Sequence, residues 1–384
     1  MYILILGNGI PTPTYPKQGA FAFDQACLLK KAGLPVVYGS IDLRSIRRKR
    51  PLGFLRTNKE GVSCYQVSLP LGSIPQRVKE KLGTRAFRRL LDRIMEEEGE
   101  APLFVHAHFL KVGEVAASVC ERKGLALYLT EHSSLLHESP LNPGIKRRAK
   151  DLYPRIHRLI TVSSSLQKNI RRETGFDSTV INNVIDTSLF VSSAGNKENE
   201  PFTFVSAGNL LPIKNYDVLL RAFAFHREHF PKSRLVIFGD GPEREKLEAL
   251  AEDLHIRKAV TMEGMVERAT IARAYGKAQA FVLLSRKETF GVAFVEALAS
   301  GLPVIASRCG GLDDYMKEDY GEVVEVGDAF AAGRAMDRMV KTIDSYDRDK
   351  MAREVAEKFS WRTIARELVD LYREDYPQLP EAQV

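Results

Sequence analysis

Two carboxylates and a lysine carry most of the chemistry this sequence can do. Glu288 and Glu296 lie in residues 284–306, LSRKETFGVAFVEALASGLPVIA, and Glu296 is the one charged side chain between Thr289 and Ser307. A carboxylate accepts more than one hydroxyl hydrogen bond, so the pair suits a polyol such as a sugar or a ribose. Lys214 closes the run Gly208-Asn209-Leu210-Leu211-Pro212-Ile213-Lys214 just before a predicted helix, where its ammonium can reach a diphosphate. The plainer readings are a surface carboxylate at Glu288, a helix-start acid at Glu296 and an exposed helix-start lysine.

The elements that must position these groups follow from hydropathy. Phe281-Val282-Leu283-Leu284 reads as a buried strand, Gly291 as a tight turn, and residues 292–300 as a helix ended by Gly301 and Pro303. At about 100° per residue, Phe294 and Leu298 point one way and Glu296 nearly opposite, between the small residues Ala293 and Ser300, which leave room for a ligand. Ligands of open parallel sheets bind outside the carboxyl ends of strands, and the free N–H groups at a helix start suit a phosphate. Phe290, Gly291 and Val292 would supply those groups.

The run Glu288-Thr289-Phe290-Gly291, followed by Glu296-Ala297-Leu298-Ala299-Ser300-Gly301-Leu302-Pro303, resembles the E-x7-E signature of retaining, nucleotide-sugar-dependent glycosyltransferases of the GT-B fold, family 4 type (glycosyl transferases group 1). The resemblance implies an α/β protein of two Rossmann-like domains facing a central cleft, with a C-terminal helix crossing back to the first. It implies an acceptor-binding domain over residues 1–187 and 359–384 and a nucleotide-sugar-binding domain over 188–358. Glu296 would take the ribose and Glu288 the donor sugar, and Lys214 would face the leaving diphosphate. The segment Gly264-Met265-Val266 would hold the base through backbone groups, which leaves the base unnamed. Gly208 belongs to the same donor loop; the family usually has arginine after it, where this chain has Asn209.

The first half carries matching signals. Tyr2-Ile3-Leu4-Ile5-Leu6 reads as a strand leading to a Gly/Pro loop over 7–19 and a helix through Phe23, Ala26 and Leu29. A strict G-x-G-x-x-G is absent, which disfavours a nicotinamide oxidoreductase. In the family, the glycine beside this helix lies against donor and acceptor, and Gly19 matches it. Two further predicted strands end in His106-Ala107-His108 and Glu131-His132-Ser133. These histidines are too few and too separated to name a metal site, and each can be a histidine hydrogen-bonded in place. The family's pattern singles out His132 as the one that meets the donor sugar or its phosphate. The region 182–190 resembles the family's hinge passage, and the polar run 191–201 reads as a linker.

Composition sets the remaining bounds. The 384 residues, 44% hydrophobic and 27% charged, suit two domains. No apolar run reaches the ~20 residues that span a bilayer, and four scattered cysteines indicate neither a zinc site nor a disulfide framework. A cytoplasmic protein is expected, with no metal and no cofactor beyond the nucleotide sugar as co-substrate. Residues 1–190 hold 29 Lys+Arg against 17 Asp+Glu, a net of +12, while the rest is 27 against 32, a net of −5. The basic clusters, at 44–50 and along a predicted helix over 75–98, suit an anionic saccharide or lipid-linked acceptor or the inner face of a membrane; an ordinary solvated face is the other reading. The function expected is sugar transfer from a UDP- or GDP-sugar in polysaccharide or glycolipid synthesis. A nucleotide-sugar epimerase of the same fold and a non-catalytic nucleotide-sugar-binding protein are the alternatives.

Overall fold

The computed structural model describes residues 1–45, 47–72, 74–192 and 201–384, in two compact units. Unit 1 comprises Met1–Val184 and Trp361–Val384, and unit 2 comprises Ile185–Ser360. Most of the run expected to act as a linker falls on 193–200, outside the described residues.

Unit 1 is built on eight strands: β1 (Ile3–Gly7), β2 (Val36–Asp42), β3 (Gly53–Lys59), β4 (Val62–Ser68), β5 (Phe104–His108), β6 (Ala126–Glu131), β7 (Arg158–Thr161) and β8 (Thr179–Val180). Their order in the sheet is β3-β4-β2-β1-β5-β6-β7-β8. All neighbours are parallel except β3, which pairs antiparallel with β4 through the turn at Glu60 and Gly61. The chain steps outward from β1 in one direction and then restarts at β5 on the other side, so a crevice opens at the carboxyl ends of β1 and β5. β1 and β5 are fully buried, which is why they read as apolar runs.

The helix Trp361–Asp375 belongs to unit 1, although it follows the whole of unit 2 in the chain. Its buried face, Ile364, Ala365, Leu368, Val369 and Tyr372, joins Ile3, Ile5, Phe23, Leu29 and Phe104 in one core. Polar contacts fix its far end. Arg158 donates to Asp375 at 2.7 and 2.8 Å and the Tyr128 hydroxyl donates to the same carboxylate at 2.5 Å.

Unit 2 has six parallel strands, β9 (Thr203–Ala207), β10 (Arg234–Phe238), β11 (Val260–Gly264), β12 (Ala280–Leu283), β13 (Val304–Ser307) and β14 (Gly321–Val324), in the order β11-β10-β9-β12-β13-β14. The order reverses between β9 and β12, and at their carboxyl ends stand Gly208-Asn209 and Ser285 to Glu288. Close backbone contact sets the glycines here. A Cβ on Gly239 would lie 1.8 Å from the Gly208 carbonyl oxygen, and one on Gly241 would lie 2.3 Å from that of Leu210.

Truncating the returning helix at its centre tests its place in the unit 1 core. Leu368→Ala should lower the stability of unit 1 by about 2–5 kcal/mol, read as a fall in its urea midpoint. An unchanged midpoint would mean the helix is not part of that core.

Candidate active site

Glu288 is placed by three separate elements. The strand β12 runs on through Leu284 to Ser285, which is fully buried and donates through Oγ to Glu288 Oε1 at 2.7 Å. The Glu288 N–H donates to the carbonyl of Cys309 at 3.2 Å, just past β13. Gly311 packs so closely that a Cβ there would sit 2.7 Å from Glu288 Cβ. Lys214 completes the arrangement, with Nζ 2.5 Å from the same Oε1. It ends the short turn Pro212–Lys214, and Asn215, at φ +58°, swings the chain into the helix Tyr216–His229. Arg286 ties the two loops together, donating from its backbone to Ile213 at 2.8 Å and from Nε to Asn215 Oδ1 at 3.0 Å.

Eight residues on, the helix Val292–Ala299 starts at Gly291, whose φ of +77° and 2.7 Å approach to the Phe294 ring leave no place for a Cβ. The Tyr315 hydroxyl donates to the Phe290 carbonyl at 2.8 Å, and Phe290 is buried against the Tyr315 and Phe359 rings. The turn is therefore fixed from below. The N–H groups of its first residues have no carbonyl one turn back to bond, as at any helix start. Glu296 is buried on this helix and takes a hydrogen bond from Arg268. Arg268 begins the helix Arg268–Lys277, directly after the loop that carries Gly264, Met265 and Val266. That loop is held at Gly264, whose carbonyl accepts from Gly239 at 2.8 Å, while Met265 is exposed.

Unit 2 thus joins Lys214 to Glu288 directly, and links the segment 264–266 to Glu296 through Arg268. Gly208 lies beside the lysine: a Cβ on it would be 3.9 Å from Lys214 Cδ. Asn209 follows at the end of β9, partly exposed.

Gly19 and His132 belong to unit 1. Gly19 has φ +66°, and a Cβ there would meet the Gly9 carbonyl oxygen at 2.1 Å, so glycine is required. The Tyr38 hydroxyl donates to Gly9 at 2.6 Å and holds the loop in place. His132 is buried, stacked on the half-exposed ring of Phe21 at 4.9 Å, and its Nε2 is 2.9 Å from His108 Nδ1. His106 faces inward instead, with Nδ1 2.6 Å from the Tyr372 hydroxyl and Nε2 2.7 Å from Thr130 Oγ1. It ties the sheet to the returning helix. Burial lowers the pKa of His106 and His132 to about 3 and that of His108 well below 6.5, so all three rings are neutral at pH 7.

Arg268, Ser285, Tyr315 and Phe21 are the residues of these sites that sequence reasoning missed. Ser285, three residues before Glu288, carried a local signal; the others meet their partners only through the fold. Among the described residues no group of three or more His, Cys, Asp or Glu side chains is placed to hold a metal ion, and no helix is long and apolar enough to cross a membrane.

Two α/β units with parallel sheets, each with a crevice at a strand-order reversal, define a GT-B fold. The likeness extends over whole chains. Sucrose-phosphate synthase from Thermosynechococcus elongatus matches with a TM-score of 0.80 at 21% identity, over 98% of this chain and 99% of that one. Anabaena HepE, solved with UDP and glucose, matches at 0.76 and 18% identity, over 97% and 100%. The family follows from sequence: residues 53–189 match the model of Glycosyltransferase Family 4 and residues 190–358 that of Glycosyl transferases group 1. The chain belongs to this group 1, family 4 set of glycosyl transferases. A GDP-mannose-dependent alpha-(1-6)-phosphatidylinositol monomannoside mannosyltransferase of Mycobacterium tuberculosis is 32% identical over 190 residues, 45% of this chain and 48% of that protein. The chain spans about half the length of the curated relatives it matches.

Neutral buried groups make unit 1 sensitive to pH in a defined direction. Between about 3 and 6.5 the unfolded chain binds protons that His106 and His132 refuse in the fold, so stability rises with pH. Glu131, fully buried beside the Tyr153 hydroxyl, acts oppositely: burial raises its pKa to about 8, and stability falls between 4.5 and 8 as the unfolded chain loses a proton the fold retains. Above pH 6.5 its contribution should be a decline of up to about 1.4 kcal/mol per pH unit. Glu131→Gln should flatten the fall in the unit 1 urea midpoint from pH 6.5 to 8; an equal slope in both proteins would refute the assignment.

Proposed function

We propose that this chain is a retaining glycosyltransferase that moves a sugar from a UDP- or GDP-sugar to a saccharide or lipid-linked acceptor, without a metal. The contact between Lys214 and Glu288, at the strand-order reversal and beside a helix start, carries this reading. An ammonium has three donors, so Lys214 can stay on Glu288 and still reach a diphosphate oxygen. Glu288 accepts donor-sugar hydroxyls, Glu296 the ribose hydroxyls, and the N–H groups of Phe290, Gly291 and Val292 orient the leaving diphosphate. Gly208 and Asn209 line its path, while Gly264, Met265 and Val266 offer backbone groups to the base.

In the transfer, the bond from the sugar's anomeric carbon to the diphosphate breaks and the bond to the acceptor oxygen forms on the same face. The acceptor's hydroxyl proton passes to the departing phosphate oxygen, and Lys214 stabilises the charge that remains. His132, neutral, serves as a hydrogen-bond partner for the donor sugar, and Gly19 allows close approach of backbone. The nucleotides named for two similar proteins, UDP bound to HepE and the GDP-mannose on which the mannosyltransferase depends, support the donor class.

Unit 1 would hold the acceptor, and its charge suits an anionic one. The helix Gln76–Glu98 buries Phe87, Leu90, Leu91 and Ile94 and exposes Arg77, Lys81, Arg85, Arg88 and Arg89, none of which forms an ion pair among the described residues. The other basic cluster is used differently. Arg44 and Arg50 converge on buried Asp42, at 2.9 and 2.7 Å, and organise their own loop. A lipid-phosphate acceptor would place the protein at the inner face of a membrane, in the cytoplasm, with this helix towards the headgroups.

A panel of UDP- and GDP-sugars should identify the donor by thermal stabilisation, about 2.7 kcal/mol at 100 times the dissociation constant. With that donor, Lys214→Ala and Glu288→Ala should each lower transfer by roughly 10²–10³, and chelator should leave it unchanged. Wild-type rates in either variant would remove the proposed site. Replacing Arg85, Arg88 and Arg89 by glutamate should abolish binding to anionic vesicles, and unaltered binding would leave that face without the role.

A further inference from the structure

Apart from Met1 and Val384 at the chain ends, five large apolar side chains of unit 1 are exposed among the described residues. They are Phe21, Leu52, Phe54, Val78 and Leu135, each exposed by 39–53%. One exposed leucine needs no explanation, but the distribution of these five does. All stand at one end of the sheet, the end where its parallel strands finish. Phe21 is in the first turn of the helix Ala20–Lys31, after the loop that follows β1. Val78 is in the first turn of the helix Gln76–Glu98, after β4, and Leu135 lies in the turn Ser134–His137, after β6. Leu52 and Phe54 flank Gly53, the first residue of the antiparallel β3. Gly53 pairs with Ser68 at the finish of β4, and Ser68 pairs with Asp42 at the finish of β2.

The spread of these side chains decides what can cover them. β3 and β6 are five spacings apart in the sheet order, about 24 Å, which is too far for one small ligand. A protein interface gathers its apolar residues into a core depleted of charge. Here cations stand between them. Arg47, Arg48 and Lys49, just before Leu52, are exposed and form no ion pair among the described residues, although Arg48 also packs on the Tyr15 ring at 5.3 Å. Scattered apolar side chains with arginine and lysine among them suit the boundary between lipid headgroups and acyl chains. Phosphates there take the cations, and the apolar groups reach past them.

The edge of this surface is held in shape from within. Besides meeting Asp42, Arg50 donates to the carbonyls of Arg44 and Ser45 at 2.8 and 2.9 Å and to that of Leu69 at 3.3 Å. With Arg44 and Arg50 turned inward, Arg47, Arg48 and Lys49 are left outward. Arg93 lies over the Phe54 ring at 4.9 Å and is itself paired with Glu97.

We propose that this rim is a membrane-docking surface on which unit 1 meets an anionic bilayer. Leu52 and Phe54 insert below the headgroups at the sheet edge, and Arg47, Arg48 and Lys49 take lipid phosphates. The proposal rests on the lipid-linked acceptor reading above. It adds apolar anchors and an orientation, with the crevice at the carboxyl ends of β1 and β5 opening towards the headgroups.

Vesicles of phosphatidylcholine and phosphatidylglycerol with brominated acyl chains test it on the full chain. Wild type should co-sediment with them, and the double variant Leu52→Ser, Phe54→Ser should bind roughly 10- to 100-fold more weakly with an unchanged urea midpoint. In Phe54→Trp the new indole should be quenched by the brominated chains. Trp361, the one native tryptophan, lies beside Lys31 at the other end of the unit and should be unaffected. Wild type bound, with the double variant bound equally and no quenching at position 54, would overturn this surface alone and leave the contact to the arginines of the helix Gln76–Glu98. Wild type failing to bind would overturn the membrane reading along with it. A wild-type dimer that the double variant dissociates would also overturn the proposal, by making the rim a contact between copies.

Discussion

The short contact from Lys214 to Glu288 is the constraint on which unit 2 turns. Both groups are largely removed from water, and such a pair is favourable only when geometry is good and the remaining oxygens have partners. Ser285 bonds the same carboxylate oxygen and the Cys309 carbonyl fixes the backbone. These groups come from the ends of β12 and β13, while the lysine comes from the loop after β9. Only the strand order of this sheet brings the three ends together, with glycine at 239 and 311, where a Cβ would run into the backbone of Gly208 and of Glu288. The sheet, the turn at Gly291 and the burial of Phe290 are thus conditions for one ion pair to form.

Unit 1 handles polarity in the opposite way. Several of its buried groups have given up their charge: burial keeps His106, His108 and His132 as neutral rings and pushes the Glu131 carboxyl up to about 8. Its one fully enclosed carboxylate that keeps strong cationic partners is Asp42, among the described residues of the β2 end, and those partners are arginines of its own loop. The site therefore presents stacked rings and hydrogen-bonding edges at His132 and Phe21, and leaves net charge to the outer helices. Phe109 adds to this surface at a cost, since its φ of +72° and ψ of 144° lie where residues other than glycine are strained.

Much of the fold could be read from the sequence, because parallel strands buried on both faces appear as continuous apolar runs and the glycine turns mark their ends. The family resemblance added the two-unit architecture. β3 was missed for a physical reason: its residues, GFLRTNK, are mostly exposed, so an edge strand that buries neither face has no alternation to detect. Arg44 and Arg50 read as part of a cationic patch because composition does not reveal that they face Asp42. Arg268 lies 28 residues from Glu296 at the polar start of a helix, where arginine is unremarkable until the fold closes the distance. What stayed hidden in each case was a contact between elements.

The path of the chain between the units has a consequence for synthesis. Unit 2 is one uninterrupted segment, whereas the core of unit 1 includes a helix that begins only at Trp361. On a ribosome, residues 185–360 can assemble as soon as they emerge, but the earlier strands of unit 1 must wait, with part of their apolar surface uncovered, until the helix Trp361–Asp375 follows. Unit 1 thus starts to form before unit 2 and closes its core after it.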